Sequence, residues 1–217
     1  MAKTLFDNIA KAELTKKSLG SGAMLLAGFA KKWEAKLLQG IKDVTAAAPF
    51  RHMITPGGFR MSVAMTNCGA LGWITDRTGY RYDGVDPESG RKWPTMPDCF
   101  LQLATSAAVE ACFDKFIPDA CLINRYESSA KLSLHQDKDE QDFSQPIVSV
   151  SLGIPATFLF GGMQRSDKTS RIPVEHGDVI VWGGPARLRY HGVMPLKDDS
   201  HPLLGKYRVN LTFRKAA

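Results

Sequence analysis

The residues best able to do chemistry lie in LSLHQDKDE (132–140), where a histidine and an aspartate, His135 and Asp137, stand two apart. The stretch reads as a β-strand, and side chains two apart on a strand project from one face, so an imidazole and a carboxylate lie side by side. A redox metal such as Fe(II) is commonly held by two histidines and one carboxylate on one face, with the opposite positions open to substrate and oxygen. The missing ligand must then arrive from elsewhere in the chain, and the best candidate is His191 in RLRYHGV (187–193). Against this stands an ordinary surface pair, since His-x-Asp arises by chance in many chains.

A second group of side chains calls for an anion. In RVNLTFR (208–214), Arg208, Asn210, Thr212 and Arg214 alternate with Val209, Leu211 and Phe213, which gives a strand one polar face and one apolar face. Two guanidiniums on an inward face are costly unless an anion meets them. A dicarboxylate beside the metal would do so, each arginine holding one end through two parallel hydrogen bonds. Solvent, or Asp and Glu side chains of the chain itself, are the alternatives. Asn124 and Tyr126, two apart in the strand before the metal motif, also project together.

Positioning these groups requires a framework, and the chain has the pattern for one. Apolar residues Trp33, Leu37, Ile41 and Val44 recur at three- and four-residue steps, predicting an amphipathic helix over 31–48 that Pro49 ends. A second helix is expected from residue 96 or 97 to about 116, with Pro97 in its first turn and Phe100, Leu103, Ala104, Ala107 and Ala111 on one face. Beyond Pro118 the texture is short strands separated by Gly, Pro and Asp turns: DACLINRYE, KLSLHQDK, PIVSVSLG, ATFLFGG, IPVEHGDVIVWGG, RLRYHGV and KYRVNLTFRK. This predicts an α+β protein whose core is a double-sheet jelly roll, braced outside by the two helices. The expected division is an N-terminal extension over 1–114 and a catalytic core over 115–217.

Residues 51–97 differ, being rich in Gly, Arg, Thr and aromatics. Met61, Val63 and Met65 alternate as a strand would, Asn67-Cys68-Gly69 can turn it, and 86–90 is a second turn. Such a segment inside a compact protein is often a binding lid. Basic residues interleaved with Trp73, Tyr80, Tyr82 and Trp93 suit base stacking and phosphate contact, while a small satellite core is the plainer use of the same aromatics.

A chain of 217 residues, 44% of them apolar, can bury a full core in one large domain, or in a domain with a lid. Its net charge of +6 favours an anionic partner without choosing one. Cys68, Cys99, Cys112 and Cys121 include no Cys-x-x-Cys pair, which reads as reduced thiols in the cytoplasm rather than a disulfide framework. The apolar run over 23–30 is too short to cross a membrane. A polar segment carrying Lys3, Lys11, Lys16 and Lys17 precedes it, so it reads as a buried strand and not as an export signal. No apolar stripe demands a partner subunit, and a monomer is expected.

Taken together, His135-Gln136-Asp137, His191, Arg208 and Arg214 resemble the pattern of the Fe(II)/2-oxoglutarate dioxygenases. More narrowly, NRY (124–126), LSLHQDKDE (132–140) and RVNLTFR (208–214) resemble the AlkB family of nucleic-acid dealkylases, as do PFRHMITPGGFRMSVAMTNCGALGW (49–73) and HGDVIVWGG (176–184). The resemblance implies a double-stranded β-helix with an N-terminal nucleotide-recognition lid. It implies Fe(II) on His135, Asp137 and His191, with 2-oxoglutarate and O2 as cosubstrates. Arg208 and Tyr126 would hold the far carboxylate of the diacid; Arg214, Asn124 and Asn210 would fix its chelating end. The damaged base would lie between Trp73 and His135, its amino edge towards Asp139, with Thr55, Tyr80 and Arg165 on the nucleotide. Lys131 and Lys138 are candidates for phosphate attraction or for solvated lysines. Trp182, Leu122 and Met65 are pocket or core. His52, His176 and His201 have no partner at ligand spacing and read as structural or exposed. The implied reaction is oxidative demethylation of N1-methyladenine and N3-methylcytosine in single-stranded DNA, with RNA, and duplex DNA through base flipping, as further substrates.

Two rivals stand beside it. An enzyme of the same cofactor class acting on protein side chains or small molecules fits less well with a basic, aromatic lid. The other is a nucleic-acid-binding module whose metal site is empty or holds structural zinc; closed tetrahedral zinc fits less well with three ligands and an open face.

Overall fold

Alternation along the strands resolves into two antiparallel sheets packed face to face. The computed structural model describes residues 15–217, so Lys3 and Lys11 lie outside the described residues. The larger sheet has the order β1 (Lys16–Gly20), β2 (Ala23–Leu26), β11 (Val179–Trp182), β8 (Ile147–Gly153), β13 (Arg208–Arg214), β6 (Ala120–Tyr126), β3 (Ala64–Gly69). The smaller has the order β10 (Ser170–Val174), β9 (Ala156–Phe160), β12 (His191–Val193), β7 (Leu132–His135). A hairpin of β4 (Gly72–Asp76) and β5 (Gly79–Asp83) forms a sheet of its own. This is the jelly roll that the strand pattern predicts.

Strand β13 shows how the sequence divides the interior. Every one of its residues is buried. Val209, Leu211 and Phe213 join the apolar layer between the large sheet and the helices α1 (Glu34–Ala47) and α2 (Asp98–Glu110). That layer includes Leu37, Ile41 and Val44 from α1 and Phe100, Leu103 and Ala107 from α2, and Phe100 meets Phe213 edge to face at 6.0 Å. Arg208, Asn210, Thr212 and Arg214 point the other way, into the space between the sheets. Around that space a second cluster, with Leu122, Tyr126, Phe158, Ile180 and Trp182, closes the jelly roll.

Several boundaries differ from expectation for local reasons. The apolar run over 23–30 is a strand only to Leu26; Gly28, at φ 63°, then turns into a short 3-10 segment, Phe29–Trp33, that leads into α1. Helix α2 stops at Glu110, short of 116. Cys112 takes the left-handed conformation at φ 67°, and the amides of Cys112 and Phe113 donate to the carbonyls of Val109 and Ala108, a Schellman closure. Asn67, Cys68 and Gly69 are not a turn but the end of β3; the buried Asn67 side chain exchanges two 3.0 Å hydrogen bonds with the backbone of Trp73 and so carries the chain round to the hairpin. IPVEHGDVIVWGG splits at Gly177 (φ 90°), where the Asp178 carboxylate accepts the amides of Gly28 and Glu175, each at 2.8 Å. Strands β1, β2 and β3 come from before residue 115, so the large sheet runs across the boundary expected there. Among the described residues no helix is long and apolar enough to cross a membrane.

The two helices meet where α1 has a glycine. A Cβ on Gly40 would lie 2.8 Å from Phe100 Cε1 and 3.3 Å from Pro97 Cγ. Gly40→Ala is therefore expected to destabilise by about 1–3 kcal/mol through overpacking, less the ~1 kcal/mol gained in helix propensity. In a Phe100→Leu background the same substitution should cost less, or stabilise; denaturant midpoints of the four proteins in this cycle check it.

Candidate metal and diacid site

Cross-strand register brings the two histidines together. β7 pairs with β12 so that His135 stands opposite His191, their ring centroids 4.4 Å apart. Asp137 lies just past the end of β7 and is buried, with Oδ1 3.6 Å from His135 Nε2 and Oδ2 3.6 Å from His191 Nε2. One ligand atom from each of the three lies within 4.8 Å of the others. Each imidazole sets its Nδ1 against a carbonyl two residues back, His135 on Ser133 at 2.8 Å and His191 on Arg189 at 3.1 Å. A carbonyl can only accept, so Nδ1 carries the proton and Nε2 presents its lone pair to the cluster. Burial, and then His135, push His191 down to about 3, which keeps it neutral. For Asp137 burial acts upward, but Arg214 and the two histidines outweigh it and hold the carboxyl well below its usual range. Two imidazoles and one carboxylate with converging ligand atoms fit a divalent metal with open positions.

Across the cavity lies a guanidinium short of partners. Arg208 is 2% exposed, its Nη2 donates to Ser151 Oγ at 3.0 Å, and its plane stands 4.9 Å from the Tyr126 ring. Its Nε and Nη1 are buried with no partner, as is Asn124 Oδ1. A buried unsatisfied donor costs on the order of 1–3 kcal/mol, and more when charged, so the arrangement fits an anionic oxygen ligand.

Two members of the polar face have other commitments. Both amide hydrogens of Asn210 are taken, by Ser149 Oγ at 2.9 Å and Val150 O at 2.8 Å, and its Oδ1 accepts from Thr212. It lines the cavity with its amide hydrogens engaged within the sheet. Arg214 donates from Nε to Asp137 Oδ2 at 2.9 Å, brings Nη2 to the same oxygen at 2.7 Å, and stands 3.3 Å from Glu140 Oε1. Asp and Glu pairing, left open for this face by the sequence, is what meets Arg214.

The aromatics of residues 51–97 divide between the cavity lining and the core. Trp73 stacks on Tyr80 at 5.7 Å and donates its indole N–H to Asp139 at 2.8 Å, at the mouth of the cavity. Trp93 is core, buried against Gly72 and bonded to Asp83 O. Tyr82 sends its hydroxyl to Glu140 Oε1 at 2.7 Å, and burial raises its pKa well above the ordinary value. Thr55 caps its own turn by accepting the Phe59 amide at 3.2 Å, and Arg165 is exposed and lines the same cavity. Met65 and Trp182 are both core and cavity wall, each 1% exposed. One cavity of about 700 Å³ is lined by every residue singled out for metal, diacid or base. His176 and His201 lie elsewhere, stacked at 4.4 Å, with His176 bonded to Glu34.

Sequence reasoning missed Glu140, Arg187, Ser149 and Ser151. The serines had a signal, since they are the alternate polar residues of an otherwise apolar strand, facing the polar side of β13. Glu140 and Arg187 had none: one ends an acidic run that reads as solvated, the other sits in a loop. Arg187 Nη2 stands 3.1 Å from Glu140 Oε2, a charge contact lacking hydrogen-bond alignment, while its Nη1 donates to Asp137 O at 2.7 Å.

The family model of the 2OG-Fe(II) oxygenase superfamily matches residues 22–214, and the chain belongs to that superfamily. It is an Fe(II)- and 2-oxoglutarate-dependent dioxygenase. Within the superfamily it stands with the AlkB proteins: the alpha-ketoglutarate-dependent dioxygenase AlkB of Escherichia coli K12 is 55% identical over 98% of both chains. The nucleic acid dioxygenase ALKBH1 of Homo sapiens is 32% identical over 57% of this chain and 31% of its own. The solved structure of OsALKBH1 superposes with a TM-score of 0.79 at 30% identity, covering 93% of this chain and 100% of that one.

Because Glu140 faces two buried guanidiniums, removing it strands charge. Glu140→Ala is expected to lower stability by about 3–5 kcal/mol. Chemical denaturation with an unchanged slope would report it as lost stability and not as altered compactness.

Proposed function

We propose that this enzyme oxidatively removes N-alkyl groups from nucleic-acid bases, repairing N1-methyladenine and N3-methylcytosine in DNA by direct reversal. The observation that carries the reading is the pairing, in one cavity, of a His-Asp-His cluster with the unpartnered guanidinium of Arg208, under a mouth formed by Trp73, Tyr80 and Asp139. Support for the nucleic-acid substrate comes from the human relative, a nucleic acid dioxygenase.

His135, Asp137 and His191 would hold Fe(II). With 2-oxoglutarate and O2, a metal held there would supply the oxidation that converts the diacid to succinate and CO2 and the N-methyl carbon to a hemiaminal, whose breakdown gives formaldehyde and the restored base. Arg208, with the Tyr126 hydroxyl beside it, binds the distal carboxylate. Asn124 supports the other end, and Arg214 keeps Asp137 ionised and oriented. Three buried guanidiniums, Arg187, Arg208 and Arg214, face two buried carboxylates, Asp137 and Glu140, so the cavity already favours an anion before any metal adds its charge. A cavity of about 700 Å³ suits a small diacid together with one base.

Residues 51–97 act as the recognition lid over the jelly-roll core. Trp73 and His135 clasp the base, and Asp139 favours its positive charge. Thr55, Tyr80 and Arg165 meet the nucleotide, with Lys131 and Lys138 attracting phosphate. A duplex hides the methylated edge, so the enzyme acts on single strands and on bases flipped from duplex DNA or RNA. It works as a monomer in the cytoplasm, where bacterial DNA lies.

A mass-shift assay on methylated DNA and RNA oligonucleotides tests the reading. Loss of one methylene mass that depends on both 2-oxoglutarate and Fe(II) is expected, abolished in His135→Ala; conversion without 2-oxoglutarate would defeat it. For the diacid, Arg208→Met is expected to leave ligand-free stability within about 1 kcal/mol, since it removes unsatisfied donors along with one hydrogen bond. It should erase the stabilisation that 2-oxoglutarate gives the wild type, about 2.7 kcal/mol at a hundredfold excess over Kd. Denaturant titrations with Mn(II) and 2-oxoglutarate measure both.

A further inference from the structure

The stretch after the metal motif joins two parts of the molecule. Over 136–146 the chain forms no strand. Its course is fixed mainly by side chains: Gln136 donates to Leu188 O at 2.6 Å, and Arg187 donates to the carbonyls of Asp137 and Gln145 at 2.7 and 3.0 Å, with one backbone bond from the Gln141 amide to Ala216 O at 3.0 Å. A segment held this way moves when its side-chain partners move.

Two of those partners belong to the lid hairpin. Trp73 and Tyr82 are directly opposed in the β4–β5 register. Trp73 bonds Asp139 and Tyr82 bonds Glu140, so a cross-strand aromatic pair grips two consecutive acids. The first contact is exposed; the second is not. Tyr82 carries its hydroxyl past the surface into the charged cluster, where Glu140 Oε1 also meets Arg214, and Arg214 meets the Asp137 oxygen nearer His191. The path from lid to metal carboxylate is therefore Tyr82, Glu140, Arg214, Asp137, with no step longer than 3.3 Å.

We infer that Tyr82 and Glu140 are positioning residues that couple the lid to the metal carboxylate, so that metal occupancy tightens the grip on the methylated base and the base tightens the grip on the metal. The inference rests on the function proposed above. A metal that fixes the Asp137 carboxylate fixes the fork of Arg214, which in turn sets Glu140 and the hairpin that carries Trp73. Coupling of this kind is reciprocal by thermodynamic necessity. Neither Tyr82 nor Glu140 needs to touch base or metal to exert it.

The experiment uses Mn(II) in place of Fe(II), saturating 2-oxoglutarate and no O2, so that nothing turns over. Fluorescence anisotropy gives the Kd of a methylated oligonucleotide with and without Mn(II); electron paramagnetic resonance of free Mn(II) gives the metal Kd with and without the oligonucleotide. In the wild type each ligand is expected to tighten the other by the same factor, about fivefold. Tyr82→Phe, which keeps the ring and loses the bond to Glu140, should bring that factor close to one while Mn(II) affinity without oligonucleotide stays within about twofold. Glu140→Gln should lower the factor as well. Wild-type coupling retained in Tyr82→Phe would overturn the inference, as would its absence from the wild type. A general loss of Mn(II) affinity in Tyr82→Phe would overturn it too, by making Tyr82 merely structural. Failure of the proposed function shows differently, as a wild type that binds neither Mn(II) nor methylated oligonucleotide.

Discussion

Charge taken out of water is the constraint on which this molecule turns. Arg187, Arg208 and Arg214 lie buried with Asp137 and Glu140 beside the metal cluster, and such groups persist only where each meets opposite charge or a ligand. Arg214 and Arg187 meet Asp137 and Glu140. Arg208 meets a serine hydroxyl and the face of Tyr126, and its remaining donors wait. The helices, with their Phe100 and Leu103, supply the apolar burial that tolerates this cost on the far side of the same sheet. One strand, β13, thus carries both the core of the fold and the polar lining of the cavity on its alternate residues.

Sheet register converts that chemistry into geometry. The two imidazoles come from strands that are neighbours in the small sheet and nearly sixty positions apart in sequence, and they meet because His135 is paired with His191. A shift of one position would turn one ring to the opposite face. Strand β7 is the edge of its sheet, so the metal motif sits where a strand can end and hand the chain over to a loop; Asp137 and the acids after it use that freedom.

What the sequence made legible was whatever follows from period two. The polar face of RVNLTFR, the strands after Pro118 and the His-x-Asp spacing all led to the jelly roll and to residues that line one cavity. Period alone could not give partners. Asn210 alternates correctly with the arginines, yet its amide hydrogens are committed to Ser149 and Val150, a matter of what lies across the sheet. Glu140 ends a run, DKDE, that looks solvated and is buried because Arg187 and Arg214 arrive from distant loops and strands. Helix α2 ended early because Cys112 adopts a backbone conformation more usual for glycine, which no helix periodicity foretells.

Each metal-facing imidazole is braced by its own strand, through a carbonyl two residues earlier, on Ser133 for one and Arg189 for the other. The same local device, used twice, fixes tautomer and ring direction without help from a distant side chain. The two rings stand ready as a preset clamp: their direction is set by their own strands, so the ordering needed to capture an ion is already completed during folding.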